Sequence, residues 1–519
     1  MTNWKRREFL QFMSLAPVAL ASLKARTGRY RPKAKTRPNF LLLMSDNHSW
    51  NHLGCYGDPV VKTPNIDAVA KQGVRFTHAF CAAPSCSPAR AGMLTGQDPW
   101  RLEEGANLWG VLPAKFPLFT DMLESEGYHV GIQGKGWGPG SIKMSGRQYN
   151  HGGRPYKSFD QFLKANKSGK PFCYWISSPD PHRPFTQGAD IKSGLDPSEV
   201  EVPSYLPDNE TVRGDICDYY SAVENFDKMV GQTLERLKET GQYQNTVIVI
   251  CSDNGWQMPR GLANLYDFGS RIPFIISWPG EIPGDRVVED MVNLNDLAPT
   301  FLELVGIDPP GDMTATSLTN LMFTGKSGRI DLNRDAVYTA RERHALCRKL
   351  GAGYPGRAIR TRHYLYIRNY EPDRWPAGDP PLFGDVDAHM LHYPCPTKMY
   401  MLTHKDDPEV RPLYEKAFLK RPAEELYDLQ KDPFQMYNRA GESGYRKIKK
   451  RLSRRLESYL LKTGDPRATG NKIIWDTTMY YQPRDFVAEP GQEAIEKLNL
   501  KEQSNYFDLE DTLIKKLSK

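Results

Sequence analysis

The chain has 519 residues, with 69 Lys and Arg against 62 Asp and Glu, a net charge of +7 and eight cysteines. That length excludes a peptide-sized binder and allows a large main domain with a smaller companion; so slight a basic excess gives no footing for a nucleic-acid partner. The cysteines stand at 55, 81, 86, 173, 217, 251, 347 and 395, a scatter that fits neither a zinc pattern nor a dense disulfide framework.

Residues 1–25 read as an export leader. Lys5-Arg6-Arg7-Glu8-Phe9-Leu10-Gln11 precedes an apolar stretch from Phe12 to Leu23, with small residues at Ala19, Ala21 and Ala25. The stretch is too short to span a membrane, so the pattern predicts a twin-arginine signal, the twin-arginine export machinery as partner, a periplasmic or otherwise exported protein, and no integral membrane protein. Removing it takes four cations and one anion, so that +7 becomes +4.

From Pro38 short apolar runs alternate with amphipathic stretches, the pattern of parallel strands with crossover helices. Strands are predicted at Asn39–Met44, Val74–Phe80, Tyr128–Gln133, Phe172–Ser177, Thr246–Ser252 and Phe274–Trp278, and helices at Ile66–Gln72, from Arg90 to Leu94, and along Asp215–Thr240. In the last, Tyr219, Val223, Phe226, Val230, Leu234 and Leu237 recur at helical spacing. The fold class expected is α/β, a large doubly wound mixed or parallel sheet over residues 36–335. Shorter runs at Ala358–Arg360 and Tyr364–Tyr370, then a basic amphipathic helix over Tyr445–Leu461, predict a smaller C-terminal α+β subdomain over 336–465. Residues 466–519 have weak periodicity and read as an extension wrapping the surface.

Ligands of open α/β sheets gather at the carboxyl ends of strands. Asp46 and Asn47 end the first predicted strand, and Asp253 and Asn254 end Thr246–Ser252. Four oxygen-bearing side chains from two strand ends suit a hard cation such as calcium, although either dipeptide alone is as readily a loop turn or a helix cap. The run Cys86-Ser87-Pro88-Ala89-Arg90-Ala91-Gly92-Met93-Leu94-Thr95-Gly96 sets Arg90 one helical turn beyond Cys86. Taken alone, it also reads as a buried cysteine beside a proline turn.

With Cys86-x-Pro88-x-Arg90, these residues resemble the type I, formylglycine-dependent sulfatases of the alkaline phosphatase superfamily. Leu53-Gly54-Cys55-Tyr56-Gly57, Thr63-Pro64-Asn65-Ile66-Asp67, Tyr128–Lys135, Asp180-Pro181-His182-Arg183-Pro184 and Asn264–Pro273 extend the likeness through nearly all of the mature chain. Ser85-Cys86-Ser87-Pro88, Tyr354-Pro355-Gly356-Arg357-Ala358 and Glu425-Leu426-Tyr427-Asp428 are similar to the heparan N-sulfatases (sulfoglucosamine sulfohydrolases). The resemblance implies an alkaline phosphatase-like fold and hydrolysis of a sulfate ester or sulfamate on a sulfated saccharide, such as a glycosaminoglycan. It implies that a maturase oxidises Cys86 to Cα-formylglycine, whose hydrated aldehyde attacks sulfur with one oxygen and collapses through the other to expel sulfate. Export of the folded protein fits oxidation before translocation. It further implies one Ca2+ per chain on Asp46, Asn47, Cys86, Asp253 and Asn254, with Arg90 holding the modified side chain, Lys135 binding a sulfate oxygen and His182 as general acid.

Three positions depart from the family pattern. A metal-binding aspartate is replaced by Asn47, a histidine by Trp137, and a sulfate-binding cation by Leu262. Arg260 or Arg271 is expected to supply that missing charge. Arg343 and His344, with Arg341, Arg357, Arg360 and Arg362 nearby, are candidate contacts for carboxylates or sulfates of a glycan. Trp375, Tyr393 and Tyr400 are candidates for stacking on sugar rings, or for core packing. Two other activities stay open at this stage: a phosphomonoester or phosphonate hydrolase, and a non-catalytic pseudo-enzyme that binds sulfated glycans.

Overall fold

The computed structural model describes residues 37–189, 193–385, 395–481 and 496–497. The leader assigned to 1–25, most of the extension beyond 481, and Tyr393 lie outside the described residues. In chain order the strands are β1 (Asn39–Ser45), β2 (Val74–Phe76), β3 (Ala79–Phe80), β4 (His129–Gly134), β5 (Arg154–Pro155), β6 (Phe172–Ser177), β7 (Thr246–Ser252), β8 (Phe274–Ser277), β9 (Arg286–Val288), β10 (Val292–Asn293), β11 (Ala336–Arg341), β12 (Gly356–Thr361), β13 (Tyr364–Asn369) and β14 (Glu424–Asp428). The main sheet has the order β5-β4-β6-β1-β7-β8-β2-β9. Its centre, β4, β6, β1 and β7, is parallel, while β8 runs against both of its neighbours.

Those central strands read as unbroken apolar runs because helices cover both faces. Leu41 and Leu43 of β1, Tyr174 and Ile176 of β6, and Ile248 and Ile250 of β7 point into one core, against the helix Glu210–Glu239. Phe40, Leu42, Met44, Trp175, Val247 and Val249 point into the other, against the helices Cys86–Thr95 and Leu297–Leu304. The alternation is the two-residue period of a pleated strand. Because the four strands are parallel, their carboxyl ends lie along the same edge.

The long helix begins earlier than its apolar spacing predicts, because the Asn209 side chain accepts from the Val212 amide at 3.1 Å and caps it. It stops before Gly241, which takes a left-handed φ of 71°. Val212, Ile216, Tyr219, Val223, Phe226 and Val230 form its buried stripe. The helix around the cysteine also begins earlier than expected, at Cys86 rather than Arg90. Pro88 is no obstacle, since the first turn of a helix has no intrahelical partner for its amide anyway. The predicted strand Val74–Phe80 divides: β2 joins the main sheet, whereas β3 pairs with β10.

The second sheet, β11-β12-β13-β14, is antiparallel throughout. Leu452, Leu456 and Leu460 of the helix Arg446–Thr463 pack on Ile359, Tyr366 and Leu426 from it. Most of the arginines expected to offer a basic glycan surface are used internally. Arg357 pairs with Glu342 and Asp465 at 2.7 Å each, Arg360 with Asp267 at 2.8 Å, and Arg341 with Asp385 at 2.6 Å, all buried. The Arg360–Asp267 pair ties β12 to the loop after β7. Trp375 packs against Phe383, and Tyr400 stacks on His404. No disulfide links the eight cysteines, and no helix among the described residues is long and apolar enough to cross a membrane.

Leu42 is 1 % exposed at the centre of β1. Leu42→Ala should therefore lower unfolding free energy by about 2–5 kcal/mol, read as a lower urea midpoint at unchanged slope. An unchanged midpoint would contradict this packing.

Candidate active site

The end of β1 carries Asp46 and Asn47, the end of β7 carries Asp253 and Asn254, and the helix Cys86–Thr95 starts between them. Ligand atoms of Asp46, Cys86 and Asp253 all lie within 4.8 Å of one another. Cys86 Sγ is 3.5 Å from Asp46 Oδ1, 3.7 Å from Asn47 Oδ1 and 3.7 Å from Asn254 Nδ2. All five side chains are buried. Residues 40 and more than 160 positions from Cys86 in sequence thus meet at one point because β1 and β7 are neighbours in register.

Arg90 binds this group together. Its Nε donates to Asp253 Oδ2 at 2.8 Å, Nη2 lies 3.4 Å from Asp46 Oδ2, and Nη1 donates to the Gly136 carbonyl and Ser177 Oγ at 2.6 Å each. Lys135, just past β4, donates from Nζ to Asp46 Oδ2 at 2.7 Å and keeps 24 % of its side chain exposed. Burial works against the Asp46 carboxylate, but Lys135 and Arg90 outweigh it and hold Asp46 well below the usual carboxylate range. Burial, then the Asp46 charge, pushes Asp253 the other way. Burial also works against the Lys135 ammonium, and Asp46 reverses that. Between two carboxylates, buried Cys86 is held far above the ordinary thiol range and stays protonated.

The donor set fits a hard divalent cation. Asn254 Oδ1 is buried with no hydrogen-bond partner among the described residues, and Asn47 Oδ1 faces Cys86. Two carboxylates and two amide oxygens are the chemistry such an ion takes. Asn47 places a neutral oxygen where an aspartate would add a second charge on β1.

His182 follows β6 on a loop fixed from both sides. The neighbouring Arg183 makes a two-pronged bond to Asp215 at 2.8 and 2.7 Å, and its amide donates to Gln257 Oε1 at 2.7 Å. The Nδ1 of His182 faces the Arg183 carbonyl, and burial lowers the ring's pKa against the opposing pull of Asp46. His344 reaches in from the second sheet: its Nδ1 lies 2.9 Å from Ser85 Oγ, next to Cys86. Burial brings His344 down to about 4, with Lys135 among the charges acting on it.

The other expected contacts are not brought here. Arg260 donates to the carbonyls of Lys416 and Gln435 and lies over the Tyr266 ring. Arg271 binds the Thr77 carbonyl and lies over Trp50. Arg343 donates to the carbonyls of Thr478 and Met479. Leu262 and Trp137 are core residues, 3 % and 1 % exposed; Leu262 has no polar side-chain atom, and the Trp137 indole N–H is a donor that cannot accept a proton. Trp137 packs on His151 with ring centroids 4.4 Å apart.

Sequence reasoning missed Ser177, whose position at the end of β6 was a usable signal, and Asn150, for which there was none. Asn150 accepts from the Trp137 and Gly152 amides and donates to the Trp137 and Lys135 carbonyls. It thereby clamps the turn that carries Lys135.

Two outcomes follow from this geometry. Arg90→Ala would leave the buried Asp253 carboxylate without its ion-pair partner and Asp46 with Lys135 alone, and should cost about 3–5 kcal/mol of stability, checked by urea unfolding. His151 is buried, and burial holds it down to about 4. The unfolded chain takes up that proton below about 6.5, so the contribution is complete above that pH and lost as pH falls toward 4. His151→Gln should flatten the stability profile across that window by up to about 1.4 kcal/mol per pH unit; equal slopes in the two proteins would refute the assignment.

Similarity to known proteins runs along most of the chain. The Sulfatase family profile matches residues 38–307, and the profile "N-sulphoglucosamine sulphohydrolase, C-terminal" matches residues 260–379. An ulvan-active sulfatase of Formosa agariphila is 29% identical over 451 residues, covering 83% of this chain and 81% of the relative. Human N-sulphoglucosamine sulphohydrolase is 27% identical over 481 residues, covering 83% and 92%. Among solved structures, the phosphonate monoester hydrolase of Agrobacterium radiobacter shares the fold, with a TM-score of 0.60 at 18% identity over 82% of this chain and 96% of that one.

Proposed function

The chain belongs to the sulfatase family of sulfuric ester hydrolases, and on that footing we propose that it releases sulfate from an O-sulfate ester or N-sulfamate of a sulfated carbohydrate. The observation that carries this reading is the meeting of Cys86 with Asp46, Asn47, Asp253 and Asn254 beneath Lys135. Residue 86, once oxidised by a maturase to formylglycine, would supply a hydrated aldehyde as nucleophile; Asp46, Asn47, Asp253 and Asn254 would hold a calcium ion, which would supply Lewis-acid charge there.

The chain's own residues do the rest. Arg90 fixes both carboxylates and so sets the spacing of the ion's ligands. Lys135 spends one N–H on Asp46 and has two more for a sulfuryl oxygen, where negative charge grows in the transition state. The start of the helix at Cys86 adds partial positive charge at the same point. His182, whose Nδ1–H is turned to the Arg183 carbonyl, carries a proton on Nε2 only as the imidazolium, the form that the Asp46 charge favours; from it the proton passes to the departing oxygen or nitrogen and leaves a neutral ring. His344, anchored on Ser85, is the contact offered by the C-terminal subdomain. With Leu262 and Trp137 in the core, the sulfate pocket rests on Lys135, His182 and His344. The matched C-terminal profile supports an amino-sugar substrate, and the sequence pattern of residues 1–25 supports export by the twin-arginine route.

Co-expression with a formylglycine-generating maturase should lower the mass of the Cys86 peptide by roughly 18 Da, the thiol-to-aldehyde difference. The matured protein should release sulfate but not phosphate from matched saccharide esters. Lys135→Ala should lower kcat about 10²–10³-fold, and Cys86→Ala should abolish turnover. Undiminished turnover by Cys86→Ala, or release of phosphate alone, would sink this reading.

A further inference from the structure

We propose that Trp109 and Tyr480 form an aromatic platform beside Cys86 that binds the pyranose ring carrying the sulfuryl group; this rests on the sulfatase reading above. Each of the two residues is linked to a neighbour of Cys86. On one side, the Ser87 hydroxyl and the Trp109 amide both donate to the Pro139 carbonyl, just past Trp137. On the other, Ser85 holds His344, and the adjoining Arg343 lies over the Tyr480 ring at 5.5 Å.

The platform is built rather than incidental. Trp109 has a φ of 54°, a left-handed conformation that a bulky side chain takes only where its surroundings impose it. Those surroundings are explicit: the Leu108 amide donates to the Arg343 carbonyl at 3.0 Å, the Arg343 amide to Asn107 Oδ1 at 3.1 Å, and the Tyr481 amide to the Trp109 carbonyl at 2.8 Å. Both residues stay partly exposed, with ring centroids 6.4 Å apart at 54°. That is an open V rather than a closed stack. The Trp109 Nε1–H makes no hydrogen bond among the described residues and is not buried. Arg343 backs the Tyr480 ring, its guanidinium held in place by the Thr478 and Met479 carbonyls.

A sugar ring presents one apolar face of C–H groups and a rim of hydroxyls. Two tilted aromatic faces bury the former, while the Trp109 indole N–H donates to the latter. The site thus separates two tasks: the strand ends take the sulfuryl group, and the platform takes the ring that bears it.

Sulfate release is measured from glucosamine N-sulfate, N-acetylgalactosamine 6-sulfate and an ulvan disaccharide, together with inhibition by inorganic sulfate. On the saccharide the parent enzyme turns over fastest, Trp109→Ala should raise KM about tenfold and Trp109→Phe less than about threefold, as expected for loss and retention of one aromatic face. The inhibition constant of inorganic sulfate, which contacts only the strand-end pocket, should stay within about twofold in both. An unchanged KM in Trp109→Ala overturns the platform. So does a parallel rise in the sulfate inhibition constant, which marks a displaced Pro139 loop. If the parent releases sulfate from none of the saccharides, it is the sulfatase reading that falls.

Discussion

Arg90 is wholly buried, and its guanidinium lies between two carboxylates that end neighbouring parallel strands, with its remaining N–H groups on a strand-end serine and a loop carbonyl. Removing that much charge from water is costly, and the pairing offsets the cost only while every partner stays in place. The arginine therefore constrains everything around it. Asp46 and Asp253 follow β1 and β7, Ser177 ends β6 and Gly136 lies in the turn after β4; one side chain hydrogen-bonds the last three and pairs with Asp46 at 3.4 Å. Since Arg90 sits one turn from Cys86 on a helix with no exposed face, the same contact fixes the depth and rotation of that helix.

The charge arrangement has a logic of its own. Two acids and two bases cancel in the cluster, yet the two acids are not equivalent: Asp46 is held ionised by Lys135 and Arg90, whereas Asp253 is pushed toward its neutral form by burial and by Asp46. Asn47, in place of a further carboxylate, keeps that repulsion from growing. The substitution that looks like a loss in the sequence is in this setting a moderation of like charge in a dry site.

Much of this was legible from the chain. β6 and β7 appear where unbroken apolar runs place them, because a strand buried on both faces has no other way to read. Asp46, Asn47, Asp253 and Asn254 were found because parallel strands deliver their last residues to one edge. What failed was anything that depends on where a long side chain goes after leaving the backbone. Arg260, Arg271, Arg343, Arg357 and Arg360 look alike in sequence, yet each ends on an internal carbonyl or carboxylate. Composition cannot distinguish a cation that crosses between the two sheets from one that faces a ligand. Asn150 was invisible for the opposite reason: its work is done on backbone groups, which every residue has.

Cys86 is 4 % exposed, and the ten-residue helix it opens is buried from end to end. A second protein has no purchase on that thiol once the helix has docked, since no exposed backbone flanks it for recognition. Any enzyme that alters residue 86 must therefore compete with folding itself. The yield of modified protein becomes a kinetic partition, set by how long residues 85–96 stay extended against how fast β1 and β7 close around them. Slower synthesis or a less stable β1–β7 pairing would widen that interval, and a faster-folding variant would emerge native in shape but locked in its unmodified form.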